Sequence, residues 1–235
     1  MTDDLPDLSM TKMSRAENIS EVVKEAIFAG HWKPGAKIDD QELAEKLDVS
    51  RLSVREALSK LVEAGIVERR HWKGYQLRNL RWDEVESILE VREALEEVAM
   101  RKVVHGRSES TLSELEAALK EADELKRNRR IVEFRKADYR FHEILYRASG
   151  NDLIADILGN LRILIELIRF ISQSEDFDSV ASASIGEHRE ILSKLSQGDG
   201  TMAIPAMRDH LRNHRERVRH RFDHRTAGSP DARTE

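Results

Sequence analysis

The chain has 235 residues, a net charge of −5, 40% hydrophobic and 35% charged residues, a profile of a helix-rich soluble protein with room for one large domain or two smaller ones. The absence of cysteine excludes a disulfide framework, a thiolate metal site and a cysteine nucleophile. The richest apolar run, LRILIELIRFI at 161–171, is interrupted by Arg162, Glu166 and Arg169 and falls short of the roughly 20 apolar residues that span a bilayer; with an acidic start, MTDDLPDLSM, unlike a signal peptide, the expectation is a cytoplasmic protein with no membrane partner.

The net charge hides an asymmetry. Between Arg51 and Arg81 eight Lys/Arg stand against three Glu, a local excess of about five positive charges, whereas the acidic surplus lies mostly in 83–125. A basic first third on an acidic body implies two domains with different partners.

From Arg15 to Ala29, Ile19, Val22, Val23, Ala26 and Ile27 recur at helical spacing, and Gly30 ends the helix. HWKPGAKI at 31–38 holds a Pro-Gly turn and a short candidate strand. Asp39 or Asp40 can cap a helix from Gln41 to Leu47, and Ser50 a second from Leu52 to Ala64, which Gly65 ends. IVERR and GYQLR around HWKG read as a small β-hairpin. Two short helices, a tight turn and a hairpin make a winged helix-turn-helix over 12–78. Its second helix must offer donors where it enters a major groove about 12 Å wide. That end reads SRLSVREAL, with Ser50, Arg51, Ser53 and Arg55 in the cap and first turn, and Leu52, Val54, Leu58, Leu61 and Val62 for packing. Free N–H groups there suit phosphate. Arginine at a helix start opposes the macrodipole, so Arg51 and Arg55 need either mere solvation or, better, a phosphate or guanine partner. On the wing, Arg69, Arg70, His71, Lys73 and Gly74 are placed to meet phosphates or a minor groove.

Beyond residue 82 the pattern is helical, over about 83–105, 109–128, 131–149, 151–173, 178–196 and 201–222, with Pro205 harmless in a first turn. The expected fold is therefore mostly α: an N-terminal winged helix-turn-helix, an all-α six-helix bundle over 83–222 and a disordered tail over 223–235.

Several polar residues sit on apolar stripes. Phe134, Asp138, Phe141, Leu145 and Ala148 share a face, with His142 one turn after Asp138. His188 interrupts the stripe of Ala181, Ile185, Leu192 and Leu195, and His210 follows Ala203 and Met207, continuing to His214. The plain explanation is a hydrogen-bonded core pair. Three inward imidazoles and a carboxylate from separate helices suit a divalent metal: Zn²⁺ foremost, or Ni²⁺, Mn²⁺ or Fe²⁺. His105, His220 and His224 read as surface residues. Arg92 shares a face with Val85, Ile88, Leu95 and Ala99; a buried guanidinium needs an acidic partner, either Glu96 or the carboxylate of a ligand. Arg162, Glu166 and Arg169 form a charged column, an internal ion-pair ladder or, through Arg162, a further ligand contact.

The run G-x-x-x-P-G-x-x-I-x-x-x-x-L-A-x-x-L-x-V-S-R-x-x-V-R-E-A-L-x-x-L-x-x-x-G-I-V at 30–67 resembles the DNA-binding domain of the GntR family of bacterial transcription regulators. The resemblance implies base and phosphate reading by Arg51 and Arg55, and a wing tip at Gly74. Asp48 departs from the family's usual Gly, Ser53 from a common Pro, and Gln41 stands where some members open the helix with Arg; these departures bear on the operator sequence. V-R-E-A-L-E, D-x-x-F-H, S-G-N, E-H-x-x-I-L and H-L, over roughly 83–215, resemble the ligand-binding FCD domain of the FadR subfamily, six helices being closer to the VanR-like branch. This second resemblance implies Asp138, His142, His188 and His210 as metal ligands and Arg92 as the holder of an effector carboxylate. Together they imply a homodimeric regulator, a repressor by expectation, that binds an inverted repeat of double-stranded operator DNA and answers to a small carboxylate metabolite. An enzyme is the rival class, and the chain offers neither a general base beside the site nor a nucleophile motif.

Overall fold

The structure, a computed structural model, describes residues 14–72, 74–106, 108–172, 176–197 and 200–227, the last four by their backbone alone. Two units part between Arg78 and Asn79.

In the N-terminal unit, α1 (Arg15–Phe28) opens on a capping box, in which Ser14 Oγ accepts from the Glu17 N–H and the Glu17 carboxylate accepts from the Ser14 N–H. The Ile19, Val23 and Ile27 stripe is buried where α1 packs on α3 (Arg51–Glu63), which contributes Val54, Ala57, Leu58 and Leu61. Lys60 of α3 reaches Glu17 at 2.8 Å and ties the two helices at their rim. Asp39, rather than Asp40, caps α2 (Asp40–Leu47), its carboxylate accepting from the N–H groups of Gln41 and Glu42. The α2–α3 turn passes through Asp48 at φ 49° and ψ 52°, a left-handed conformation. That backbone requirement explains the glycine usual at this position, and aspartate is among the few other residues that accept it at modest cost.

The candidate strand is β1 (Lys37–Ile38). It pairs with β3 (Gly74–Leu77), which also pairs with β2 (Val67–Arg70), so the hairpin grows into a three-stranded antiparallel sheet ordered β1-β3-β2. The register puts Ile38 opposite Tyr75 and Arg70 opposite Gly74.

The second unit comprises α4 (Trp82–Gly106), α5 (Glu109–Arg127), α6 (Ile131–Ala148), α7 (Asp152–Ile171), α8 (Phe177–Ser196) and α9 (Ala203–Ala227). Helix α9 continues five residues past the expected end at 222, because no breaker intervenes before Gly228; 228–235, the remainder of the expected tail, lie outside the described residues. Helix α6 is the hub of this unit. Phe134, Phe141 and Leu145 join one cluster with Leu115 of α5, Ile185 of α8 and Met207 of α9, whereas Tyr139 and Tyr146 join another with Ile154 and Leu158 of α7. Ser149-Gly150-Asn151 then re-aims the chain: Gly150 takes φ 62° and Asn151 caps α7 by accepting from the Ile154 N–H. No helix of the described residues is long and apolar enough to cross a membrane.

The left-handed turn is directly testable. Asp48→Val should destabilise the N-terminal unit by about 1–2 kcal/mol, whereas Asp48→Gly should melt no lower than the wild type; equal melting of all three chains in thermal denaturation would remove this account of the turn.

Candidate functional site

The periodicity argument marked Arg92, Asp138, His142, His188 and His210 as inward-facing, and all five are at most 3% exposed. Helices α6, α8 and α9 each deliver one imidazole to a common point. The His142 and His188 Nε2 atoms lie 3.1 Å apart, and each is 3.3 Å from His210 Nε2. Behind each ring stands a carboxylate. His142 Nδ1–H donates to Glu96 at 2.8 Å, His210 Nδ1–H donates to Glu187 at 2.8 Å, and His188 Nδ1 faces Asp138 at 3.6 Å while its ring stacks on Phe141. Carboxylates placed there select the tautomer with the proton on Nδ1 and leave the Nε2 lone pairs converging.

Burial pushes His142 down to about 4 despite the pull of Glu96, and burial with the neighbouring His210 pushes His188 well below the usual histidine range. Both are therefore neutral near pH 7, the state that coordinates metal. Lone pairs facing one another in a dry core repel unless a cation shares them, and Arg92, whose Nη2 lies 3.2 Å from His142 Nε2, reaches only one of the three. An edge of about 3.3 Å is also what tetrahedral coordination with nitrogen bonds of about 2.05 Å requires, so the three histidines fit a zinc-like divalent ion.

Asp138 departs from the ligand role expected of it. Its carboxylate accepts from Arg169 at 2.6 Å and from the Ser184 hydroxyl at 2.5 Å, and it backs His188 rather than joining the Nε2 triangle. Burial opposes its ionisation, but Arg169 outweighs that cost and holds it well below the usual range. Arg92 departs likewise. Its Nε donates to Glu96 at 2.6 Å and its Nη2 lies 3.2 Å from His142 Nε2, leaving Nη1 buried without an acceptor. Burial works against Glu96 as well, yet Arg92 and His142 keep its carboxyl well below the ordinary range. Arg162 pairs with Glu166 at 3.2 Å and sits 4.6 Å over the Tyr139 ring, whereas Arg169, the third member of the charged column, pairs with Asp138.

Sequence reasoning missed the cavity beside this cluster. It measures about 230 Å³ and is lined by Arg129, Arg135, Arg169, Arg217 and Arg221, with His214, Asp138 and Ser184; neither Arg92 nor Arg162 lines it. Asp138 is the shared wall, touching the cavity on one side and His188 on the other. Arginine alternates with other residues all along α9, so only the packing of α6, α7 and α8 selects which guanidinium groups face inward.

In the N-terminal unit, Ser50 caps α3 by accepting from the Ser53 N–H, and the two hydroxyls lie 2.8 Å apart. Arg51 is 60% exposed and doubly hydrogen-bonded to Asp40, at 3.1 and 2.9 Å, and Arg55 is half exposed with its Nε 4.0 Å from the same carboxylate. Gln41 donates to Glu45, and Arg70 pairs with Glu68. Gly74 takes φ 79° at the wing, beside Trp72, which is 96% exposed at φ 66°; Lys73 lies outside the described residues. Asp40 as a tether and Trp72 as an exposed aromatic were not singled out from sequence, although a bare Trp beside the wing glycine was visible there.

A winged helix-turn-helix joined to a separate six-helix unit with a buried three-histidine cluster defines a DNA-binding regulator. Residues 15–76 match the gntR family of bacterial regulatory proteins and residues 87–213 match the FCD domain. The chain belongs to the GntR family, FCD type, and is a DNA-binding transcriptional regulator rather than an enzyme. It is 32% identical over 203 residues to the HTH-type transcriptional regulator LutR of Bacillus subtilis, covering 78% of this chain and 92% of LutR. It is 28% identical to the HTH-type transcriptional repressor RspR of Escherichia coli, covering 79% of this chain and 81% of RspR. In fold it matches a GntR transcriptional regulator from Rhodococcus sp. RHA1 with a TM-score of 0.76 at 23% identity, covering 88% of this chain and 99% of that one.

The pairing of Arg92 predicts a structural phenotype. Arg92→Leu strands the Glu96 carboxylate in the core and should cost about 3–5 kcal/mol, a fall of at least about 6 °C in the melting temperature of the ligand-free protein; a side chain needed only to hold a ligand would leave that temperature unchanged.

Proposed function

We propose that this regulator is a homodimeric repressor whose operator affinity is set by a small organic acid bound in the arginine-lined cavity, next to a divalent metal ion held by His142, His188 and His210. The observation that carries the reading is the cavity itself: a cationic, partly apolar chamber in the unit that does not read DNA, sharing Asp138 with the surroundings of the histidine cluster. His142, His188 and His210 would hold a divalent ion, zinc foremost among those that imidazole suits, whose charge would neutralise the converging Nε2 lone pairs and brace α6, α8 and α9 against one another. Glu96 and Glu187 hold the Nδ1 protons, and Arg92 keeps Glu96 ionised. An acid bridging the arginines of α6, α7 and α9 favours one packing of those helices, and a difference in affinity between two packings is all that allosteric control requires.

On the DNA side, Ser50, Arg51, Ser53, Arg55 and Gln41 face the major groove at the head of α3 and α2, while Arg70, Lys73 and Gly74 approach the backbone from the wing. Arg51 reaches phosphate by exchanging its Asp40 partner, a competition that disfavours weak, non-specific contacts. The packed helices α4 and α7 leave Val91, Val98, Leu153 and Ile157 exposed, an apolar surface suited to a second copy. Two wings then address an inverted repeat of double-stranded operator DNA in the cytoplasm. The name of RspR supports repression over activation.

Operator binding is measured by fluorescence anisotropy on the DNA upstream of the protein's own gene. Arg55→Ala should weaken binding at least tenfold, about 1.4 kcal/mol, at an unchanged melting temperature; full affinity would remove α3 as the reading helix. His188→Ala should lower bound metal, measured by mass spectrometry of protein purified without chelator, from about one ion per chain to a tenth or less, and should abolish the acid response. Metal-free wild type that still responds fully to acids would sever the metal from the mechanism.

A further inference from the structure

The charge inside the cavity is unbalanced. Of its five arginines, three have carboxylate partners: Arg129 with Asp178 at 3.3 Å, Arg169 with Asp138 at 2.6 Å, and Arg217 with Glu187 at 2.7 and 2.9 Å. Arg135 has no hydrogen bond or ion pair among the described residues, and Arg221 donates only to the Ser172 carbonyl, at 3.1 Å. Asp138, the one carboxylate in the lining, is committed to Arg169, Ser184 and His188. His214 adds no charge near neutrality, since burial and the surrounding arginines hold it well below the usual histidine range. Burial depresses Arg135 and Arg221 as well, each with a second guanidinium beside it, Arg169 and Arg217 respectively, and Glu166, itself paired with Arg162, offsets this only in part at Arg135. Two partly buried guanidinium groups without a direct carboxylate partner therefore line one cavity, at a cost that an incoming anion relieves.

We infer that the effector is a small dianion, a short dicarboxylate or the phosphate ester of a three- or four-carbon acid or alcohol, with Arg135 and Arg221 as the groups that take its two negative charges. A monocarboxylate neutralises one guanidinium and leaves the other. Phe134, Phe177, Val180 and Val218 supply apolar wall for a short carbon skeleton. The cavity volume of about 230 Å³ has room for a small metabolite. The inference rests on the cavity being the effector site and goes further in naming the charge and the two residues that read it.

The test is calorimetric titration of the full-length, metal-loaded protein with butyrate, succinate, glutarate and glycerol 3-phosphate. It is repeated on Arg135→Gln and Arg221→Gln, with operator anisotropy followed in parallel. A dianion should bind the wild type at least tenfold more tightly than butyrate, and each variant should lose at least tenfold for the dianion while changing little for butyrate. Because each variant removes a partly buried positive charge that lacks a direct carboxylate partner, both should melt at or above the wild-type temperature without ligand, an outcome misfolding does not produce. Preference for succinate or glutarate over glycerol 3-phosphate, or the reverse, identifies which dianion the cavity prefers. Butyrate binding as tightly as the dianions, or variants that bind dianions undiminished, overturns the charge-pairing inference and leaves acid control standing. If no acid binds or moves operator affinity, both readings fall.

Discussion

Arg92 and Glu96 lie one turn apart on α4, both essentially inaccessible to water, and the rest of the helical unit's polar interior is arranged around that ion pair. Glu96 accepts from Arg92 at 2.6 Å, from the Tyr146 hydroxyl at 2.6 Å and from His142 at 2.8 Å. A buried carboxylate survives only with this density of donors. The consequence runs outward. With Glu96 ionised, His142 carries its proton on Nδ1 and turns Nε2 toward His188 and His210. The same device recurs at Glu187, which accepts from His210 and from Arg217. Three carboxylates thus stand behind three imidazoles, and each is in turn held by an arginine: Arg92, Arg169 or Arg217.

Two of those arginines, Arg169 and Arg217, also line the cavity, so the outer layer of the histidine cluster forms part of the cavity wall. This shared wall gives a physical route for coupling without any long pathway. An anion that draws on Arg169 or Arg217 competes with Asp138 or Glu187, and those carboxylates orient His188 and His210. Arg92 belongs to the inner layer and is sequestered. A cavity with excess positive charge is a local loss of stability, offset by the two apolar clusters that α6 joins.

The N-terminal unit shows the same economy on a smaller scale. Asp48 accepts a left-handed backbone so that α3 can leave α2 at the required angle, and Asp40, at the start of α2, reaches the head of α3 to hold Arg51. Two arginine positions one turn apart, Arg51 and Arg55, sit at the positive end of a helix dipole, where the neighbouring Asp40 carboxylate offsets their mutual repulsion.

Most of the architecture was legible in sequence, since helical periodicity and capping residues are local. Ser50 and the glycines at 30 and 65 mark their boundaries through bonds that span at most a few residues, although the Ser14 cap of α1 went unread. The inward aim of Arg92, Asp138, His142, His188 and His210 was legible too, because a polar residue on an apolar stripe has nowhere else to point. What those groups meet was decided by tertiary structure alone. Whether Arg92 finds Glu96 or a ligand, whether Asp138 joins the imidazoles or backs one of them, and which of α9's many arginines face the cavity depend on how separate helices rotate against one another. A helix repeats its faces every 3.6 residues, but only packing decides what lies opposite each face.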